Sequence, residues 1–299
     1  MALITLVTDK RYVNPTKITP YVANILKEYE LLKRALEAEG YMVARTAWDD
    51  MEYDWSLSDA AVIRTTWDYY ERYDEFLAWL QRVASKTYLI NALETIIWNL
   101  DKNYLYDLKE KGLSTVPTFF AKKGTRRSLN EIASSRHWDR LIVKPAVGAA
   151  AYLTYQLQNE AIDHFEQEFT QLLYERDMLV QPFQTTITEH GEASLMVFGG
   201  KFTHAILKKA QAGDFRVQDD FGGTVHPYVP SPNEIELAED AFRRCEPTPV
   251  YGRVDIMWDE KGAPIISELE LIEPEIWLRN HPEAARVFAR AIKTKMGPV

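Results

Sequence analysis

Short apolar runs alternate with amphipathic stretches in the N-terminal part of the chain. Val22–Glu39 carries an apolar side chain at every third or fourth position, and so does Tyr73–Val83, so both are predicted to be helices. Apolar runs of the buried-strand type occur at Leu3–Thr8, Met42–Trp48, Ala60–Thr65 and Tyr88–Asn91. Strands that alternate with helices indicate an α/β unit built on a parallel sheet.

The pattern changes beyond this unit. A helical stretch over Leu93–Lys111 is interrupted near Asn99–Lys102. Further strands are predicted at Val116–Ala121, Leu141–Lys144, Met178–Phe183, Ala193–Phe198, Phe202–Lys208, Val250–Trp258 and Pro264–Leu271. The last four form two hairpins, so this part is predicted to be α+β with antiparallel pairing. We expect the chain to divide into residues 1–98, 99–182 and 183–299.

The composition excludes several classes of protein and partner. With 46% hydrophobic residues, the 299-residue chain has ample material for a buried core. A net charge of -9, from 35 basic and 44 acidic residues, lacks the basic surface that nucleic acids and anionic membranes require. The single cysteine rules out an internal disulfide and a cysteine-based zinc cluster. Because neither a secretion signal nor an apolar run of ~20 residues is present, we expect a cytoplasmic protein without nucleic-acid or membrane partners.

Three acidic residues are predicted to share one patch of sheet. Glu268 and Glu270 are two apart on a strand, so their carboxylates point to the same face. If the hairpin turns at the Lys-Gly pair between its strands, Asp255 lies opposite Glu268. Like charges this close need a cation, and oxygen ligands suit Mg²⁺ or Mn²⁺. The alternative is an exposed acidic edge strand paired with Arg253 or Arg279.

Basic and small residues elsewhere are suited to a polyphosphate. Lys144 ends an apolar strand and is followed by the small residues 146–151, which allow backbone N–H groups to approach phosphate oxygens. Lys208 and Arg216 lie in a second segment, where Arg216 follows Gly213 in a glycine-bounded turn. An arginine at such a place suits recognition of a carboxylate or phosphate. Neither segment matches a Walker A motif or a dinucleotide fingerprint.

Taken in order, these motifs resemble the ATP-grasp superfamily. The series is Asp101-Lys102, Val143-Lys144-Pro145, Val180–Phe183, Gly191-Glu192, Gly213–Arg216, Asp255 and Glu268-x-Glu270. The resemblance is to the glutathione-synthetase-like branch, and most of all to the D-cycloserine-forming ligase and its relatives. It covers about residues 90–299. It implies an ATP-grasp fold, to which the N-terminal parallel α/β unit adds the preceding (pre-ATP-grasp) domain.

The resemblance implies phosphate contacts for two lysines. Lys102 and Lys144 are expected to contact the phosphates of ATP. A covering loop that includes Ala146, Gly148 and Ala149 is expected to lie over them. The loop is alanine-rich where the family has glycines.

The resemblance also implies how the rest of the nucleotide is held. The side chain of Gln181 and the backbone of Phe183 are expected to hold adenine, and Glu192 the ribose. Lys208 and Arg216 are expected to contact the triphosphate and the reacting carboxylate.

The metal ligands implied by the resemblance are the three acids already noted. Asp255, Glu268 and Glu270 match magnesium ligands, although many members have Asn at the position of Glu270. The site therefore carries one more negative charge than in those members.

These implications lead to one preferred function and two alternatives. The resemblance implies an ATP- and Mg²⁺-dependent carboxylate–amine ligase that forms an acyl phosphate on an amino acid or similar small carboxylate. Ring closure within one substrate, as in D-cycloserine formation, is one version of this reaction. Lys144, Lys208 and Arg216 are the expected catalytic residues because they neutralise charge that develops on the phosphates. A kinase on the same fold and a non-catalytic ATP-binding module are the alternatives.

Substrate contacts are expected from the loop after the third predicted strand. Arg64, Thr66, Trp67 and Asp68 combine a cation, a hydroxyl, an aromatic plane and a carboxylate at the carboxyl end of a parallel strand, where open sheets bind ligands. Trp67 either stacks on a substrate or fills the domain interface. Together with Arg216, these residues are expected to bind small-molecule carboxylate and amine substrates. The sequence leaves open whether the protein forms a homo-oligomer.

Overall fold

The computed structural model describes residues 1–149, 151–217 and 222–297. Its strands are β1 (Leu3–Thr8), β2 (Met42–Ala47), β3 (Ala60–Thr65), β4 (Tyr88–Ile90), β5 (Phe119–Ala121), β6 (Arg140–Pro145), β7 (Tyr155–Gln158), β8 (Met178–Pro182), β9 (Glu192–Phe198), β10 (Lys201–Lys209), β11 (Thr224–Pro227), β12 (Tyr251–Trp258) and β13 (Pro264–Glu270). Its helices are α1 (Pro20–Ala38), α2 (Tyr73–Ala84), α3 (Leu93–Asn99), α4 (Tyr104–Glu110), α5 (Leu129–Arg136), α6 (Glu160–Glu175), α7 (Thr186–Glu189), α8 (Pro232–Arg243) and α9 (Ala284–Met296).

The N-terminal sheet is parallel, as the alternation of strands and helices predicts. Its strands follow the order β2-β1-β3-β4, and β1 pairs with both β2 and β3. Helix α1 begins two residues before the predicted helix, because Thr19 caps it by accepting from the Val22 amide and Pro20 occupies its first turn. A core of aromatic side chains that includes Trp48, Trp55 and Trp79 fills one side of this sheet.

The second sheet is antiparallel, in the order β5-β8-β6-β7, and its core is shared with α5 and α6. The sequence pattern did not predict β7, because this edge strand has only four residues and polar side chains at both glutamines. The predicted strand Val116–Ala121 is shortened to β5. The residues before it instead follow β13: the Val116 amide donates to the Ile266 carbonyl (3.0 Å), and the Ile266 amide donates to Ser114 (2.8 Å).

The third sheet contains both predicted hairpins, in the order β11-β10-β9-β12-β13. Asp255 faces Glu268 in the β12–β13 register, as predicted, but the pairing depends on a bulge beside Asp255, because Ile256 still faces Ile266. Gly252 allows these strands to approach, because a Cβ atom there would lie 2.7 Å from the Glu270 carbonyl oxygen and 2.5 Å from Leu271. The short strand β11 was not predicted.

The N-terminal and C-terminal sheets are joined by a shared core. Helix α9 packs against α1, and Ile4 and Leu36 belong to the same cluster of buried residues as Phe198 and Phe288. Buried Asn91 adds hydrogen bonds to this connection. Its side-chain N–H groups donate to the carbonyls of Tyr251 and Leu271, and its side-chain oxygen accepts from the Val250 amide. The three sheets follow one another along the chain. We propose domain boundaries after residues 98 and 182.

No described helix is both long and apolar enough to cross a membrane.

Candidate active site

One large cavity of about 500 Å³ lies where the three sheets meet. Its volume lies within the range of small-molecule sites. The predicted site residues that line it are Trp67, Lys102, Lys144, Gly148, Ala149, Gln181, Phe183, Glu192, Lys208, Arg216, Asp255, Glu268 and Glu270. Residues far apart in sequence are therefore brought together on its walls.

Three carboxylates converge at one end of the cavity. One oxygen atom from each of Asp255, Glu268 and Glu270 lies within 4.8 Å of the other two. An octahedral ion with oxygen bonds of about 2.1 Å holds neighbouring ligands about 3.0 Å apart and opposite ones about 4.2 Å apart, so shifts of up to about 1 Å would bring all three onto one Mg²⁺. The donor set, which is entirely oxygen, fits such an ion.

Protein cations contact these carboxylates directly. Arg253 forms two hydrogen bonds to Asp255, of 2.8 and 2.9 Å, and a further one to Glu270. Lys208 lies 3.0 Å from Asp255, and Ser194 also donates to this carboxylate, at 2.6 Å. Burial opposes ionisation of Asp255, but Arg253 and Lys208 outweigh it and hold its pKa well below the usual range. Pairing of the acids with Arg253, which the sequence offered as the alternative to a metal site, is thus present in the same cavity wall.

Two lysines face Glu268 from the other side. The Lys102 ammonium lies 3.1 Å from Glu268 and donates to the Gly148 carbonyl at 2.5 Å. Lys144 is partly buried, and burial lowers its pKa despite the negative charge of Glu268. Burial would raise the pKa of Glu268, but Lys102 and Lys144 outweigh it and lower this pKa. This end of the cavity therefore presents both charges that a metal-bound phosphate requires.

The residues predicted to hold the nucleoside also line the cavity. Gln181 donates to Thr118 Oγ1 at 2.8 Å, which fixes its amide. The Phe183 amide donates to the Arg140 carbonyl at 2.8 Å, so the Phe183 carbonyl is the backbone group that remains available to a base. Glu192 accepts from Ser267 at 2.6 Å and also contacts Lys208.

Lys208 is held between two acids. Its ammonium lies 2.6 Å from Glu192 and 3.0 Å from Asp255. Burial disfavours the charged amine, but both carboxylates outweigh it and raise the pKa of Lys208.

The small-residue loop after β6 contributes to the cavity only in part. Gly148 and Ala149 line it, whereas Ala146 is buried and its amide and carbonyl bond to Asp177 and Lys102. Ala146 therefore has no backbone donor left for a phosphate. Ala150 lies outside the described residues.

Arg216 lines the cavity from the segment after β10. Its guanidinium contacts Asp214 through Nε and Nη2, the latter at 2.7 Å. The turn thus holds this cation at the cavity wall.

The loop after β3 differs from the prediction, because only one of its four candidates lines the main cavity. Trp67 does so, and its indole N–H donates to the Glu273 carbonyl at 2.9 Å. Thr66 is completely buried, and Asp68 accepts from Trp48 at 2.9 Å. Arg64 donates to the Pro274 carbonyl at 3.0 Å and borders a separate cavity of about 20 Å³.

Sequence reasoning did not select several residues of the N-terminal wall. Arg11 and Tyr12 line the cavity from the connection between β1 and α1, and Tyr21 lines it from the first turn of α1. The available signal was their position beyond the carboxyl end of a parallel strand. Tyr12 and Tyr21 both contact the Trp67 ring, with centroids 6.1 and 6.0 Å away.

Glu273 was also not selected. It lines the cavity three residues after Glu270 and is only 8% exposed. Burial first, and the charge of Glu270 next, raise the pKa of Glu273 to about 8. In the sequence, it follows the acidic strand as part of an Ile-Glu-Pro segment.

Comparison with known proteins identifies the family. The model for the N-terminal domain of the D-cycloserine synthetase DcsG matches residues 4–91. The cycloserine biosynthesis protein DcsG of Streptomyces lavendulae is 30% identical over 269 residues, which cover 84% of this chain and 88% of that protein. A crystal structure of D-cycloserine synthetase DcsG has a TM-score of 0.87 at 27% identity, covering 99% of this chain and 100% of that one.

A more distant structure has the same fold. The D-alanine–D-alanine ligase of Bacillus anthracis has a TM-score of 0.69 at 14% identity, covering 99% of this chain and 98% of that one. The chain therefore belongs to the ATP-grasp family as a member close to DcsG, and it is an ATP-dependent ligase.

Proposed function

We propose that the protein is an ATP- and Mg²⁺-dependent carboxylate–amine ligase that activates an amino acid, or a similar small carboxylate, as an acyl phosphate. The observation that carries this proposal is the convergence of Asp255, Glu268 and Glu270 opposite Lys102 and Lys144 in one cavity. The similarity to the D-cycloserine synthetase DcsG supports the same class of reaction.

The walls of the cavity suggest how ATP would lie. In this arrangement the Phe183 carbonyl and the Gln181 side chain would hold the base. Lys144 and Lys102 would hold the phosphates, since both line the same cavity. Gly148 and Ala149 supply backbone groups near Lys102, in the part of the loop that lines the cavity. The triphosphate would then end at the acidic strands.

The reaction has two steps. A substrate carboxylate oxygen attacks the γ-phosphorus, the bond to the bridging oxygen breaks, and ADP leaves with that electron pair. An amine nitrogen then attacks the acyl carbon, phosphate leaves with the C–O electrons, and the nitrogen gives up a proton. Magnesium, when bound to the three carboxylates, would neutralise charge on the phosphate oxygens.

The protein's own contribution is positioning and charge neutralisation. Lys144, Lys208 and Arg216 each bring a positive charge to the cavity wall, and none of them needs to form a bond to the substrate. Trp67 and Tyr12 cover the N-terminal side of the cavity, where they limit the access of water to an acyl phosphate.

Trapping with hydroxylamine tests the proposal without knowledge of the natural amine. The protein is incubated with Mg²⁺-ATP, hydroxylamine and a panel of amino acids and other small carboxylic acids. A ligase gives equal amounts of ADP, phosphate and hydroxamate with at least one acid. A kinase instead gives a phosphorylated product without free phosphate, and a binding module gives no ADP.

Two variants connect this activity with the site. We expect Glu268→Gln to lose hydroxamate formation by at least about 100-fold, because it removes a metal-facing charge. Glu260→Gln, in the exposed turn between β12 and β13, serves as the control and should keep full activity. Full activity of Glu268→Gln would contradict the site. Release of phosphate from one substrate without any added amine would support ring closure.

A further inference from the structure

Glu273 differs from the other acids that line the cavity. The acids with a basic partner are Asp255 with Arg253 and Lys208, Glu268 with Lys102, Glu270 with Arg253, Glu192 with Lys208, and Glu275 with Arg279. No side chain of the described residues donates a hydrogen bond to the Glu273 carboxylate or forms an ion pair with it. Lys102 and Arg253 act on Glu273 only through space, and burial outweighs them, so the ionised form of this 92% buried acid is unfavourable unless a closer cation is supplied.

The surroundings of Glu273 indicate what would supply it. The Trp67 indole donates to its backbone carbonyl, so the aromatic wall formed by Tyr12, Tyr21 and Trp67 adjoins this acid. Aromatic faces attract organic cations, and a buried carboxylate attracts an ammonium group. Glu273 is not one of the three acids whose oxygens converge on a possible metal position. The cation that the Glu273 carboxylate lacks is thus better supplied by an amine than by a metal ion.

The distance along the chain agrees with the size of an amino acid. Glu273 follows Glu270 by three residues, so their Cα atoms are at most about 11 Å apart. A carboxylate that receives a phosphoryl group must lie at the acidic end of the cavity, and its α-ammonium group is only one carbon further. A substrate carboxylate at the acidic strands therefore brings its α-ammonium group into the neighbourhood of Glu273.

We propose that Glu273 binds the ammonium group of the carboxylate substrate, so that the protein selects α-amino acids over the corresponding hydroxy acids. This inference rests on the proposed ligase function and names its substrate class. The raised pKa of Glu273 agrees with it, because an ammonium group would restore the ordinary ionisation of the acid.

The experiment uses matched pairs of acids in the hydroxylamine assay. D- and L-alanine are compared with D- and L-lactate, and D- and L-serine with D- and L-glycerate. Since hydroxylamine is the nucleophile in every reaction, a preference for amino acids can come only from the activated substrate. We expect kcat/KM for the preferred amino acid to exceed that of its hydroxy acid by about 10- to 100-fold, the range of a charged hydrogen bond.

Glu273→Gln should remove this preference. The variant keeps the size of the side chain, and we expect the ratio of kcat/KM values to fall at least about 10-fold, whereas Glu260→Gln keeps the full ratio. We also expect the melting temperature of Glu273→Gln to equal or exceed that of the unchanged protein, because a neutral amide needs no balancing cation. An acid that only supports the fold would give a lower melting temperature and an unchanged ratio.

Several outcomes would overturn the proposal. If the unchanged protein uses lactate or glycerate as well as the amino acids, Glu273 does not select them, whatever the variant does. If Glu273→Gln raises the Mg²⁺ concentration needed for half-maximal rate equally with both kinds of acid, Glu273 serves a metal instead. If no acid gives a hydroxamate, the ligase function fails together with the inference. Turnover without a preference overturns only the inference.

Discussion

Removal of the Arg253 guanidinium tests whether the acidic end of the cavity is balanced by protein cations that a metal ion can replace. Arg253 is 7% exposed and contacts both Asp255 and Glu270. Arg253→Met keeps most of the apolar stem and removes the charge. Asp255 then retains Lys208, but Glu270 loses the cation that holds it.

The expected loss is large because the group is buried. Removal of one partner of a buried ion pair costs about 3–5 kcal/mol, since the remaining charge stays away from water. We therefore expect Arg253→Met to lower the free energy of unfolding by about 3–5 kcal/mol in EDTA. Arg243→Met is a matched control, since Arg243 also contacts two acids but is 50% exposed. It should cost less than about 1 kcal/mol.

Magnesium should recover part of this loss. A ligand at 100 times its dissociation constant stabilises the folded state by about 2.7 kcal/mol. In Arg253→Met the carboxylates no longer share their oxygens with a guanidinium, so Mg²⁺ should stabilise this variant more than the unchanged protein. Urea unfolding followed by tryptophan fluorescence, with EDTA or with Mg²⁺, measures both effects. A loss below 1 kcal/mol in EDTA, or the same effect of Mg²⁺ on both proteins, would refute the reasoning.

Three further predictions concern single positions. Lys144→Met should reduce ADP formation at least about 100-fold and leave the circular dichroism spectrum unchanged, because it removes a charge aimed at phosphate; activity above a tenth of normal would contradict this role. Gly191→Ala should cost more than about 2 kcal/mol in urea unfolding, because φ is +91° and the new Cβ would lie 2.3 Å from the Lys208 carbonyl oxygen. The control Gly200→Ala has open space around the new Cβ and should cost about 1 kcal/mol. Burial lowers the pKa of His204 from 6.5 to about 4, so the unfolded chain binds the His204 proton more tightly than the folded protein does. The free energy of unfolding should therefore fall as the pH drops from 6.5 towards 4, by about 2.5 kcal/mol at pH 4.5. His204→Gln should lack this loss in the same unfolding series.

Strand periodicity was the strongest source of correct predictions. The alternation in Pro264–Glu270 places two acids on one face, and a two-stranded hairpin fixes which residue faces them. Asp255 and Glu268 are paired in the structure, although a bulge beside Asp255 shifts the register by one residue from that of the pairs nearer the turn. The placement of Lys144 at the end of β6 follows from the same logic, because an apolar run with one terminal cation shows where the buried strand ends.

Loop residues were harder to place because their partners come from distant segments. Asp68 had the features of a substrate contact, but its hydrogen bond comes from Trp48 and its ionic neighbour is Arg72. Thr66 is completely buried, and its hydroxyl has no hydrogen-bond partner among the described residues. The short edge strands β7 and β11 have too few apolar positions to give a pattern, and they form because a neighbouring strand offers free backbone groups.

The charges of the cavity also suggest where substrate choice is determined. At the acidic end each carboxylate is matched by a basic residue of the chain, so this part is complete before any substrate binds and suits a constant partner such as a nucleotide. Beside the N-terminal wall, Glu273 forms no ion pair with a described side chain, so the negative charge of its ionised form is favourable only once a substrate cation is bound. Since the free energy of balancing that charge is gained only with the right substrate, this wall can discriminate between acids of similar size. We therefore expect exchanges at Tyr12, Tyr21 and Glu273 to change which acid is used more than how ATP is bound, and isothermal titration with ADP and Mg²⁺ would separate the two effects.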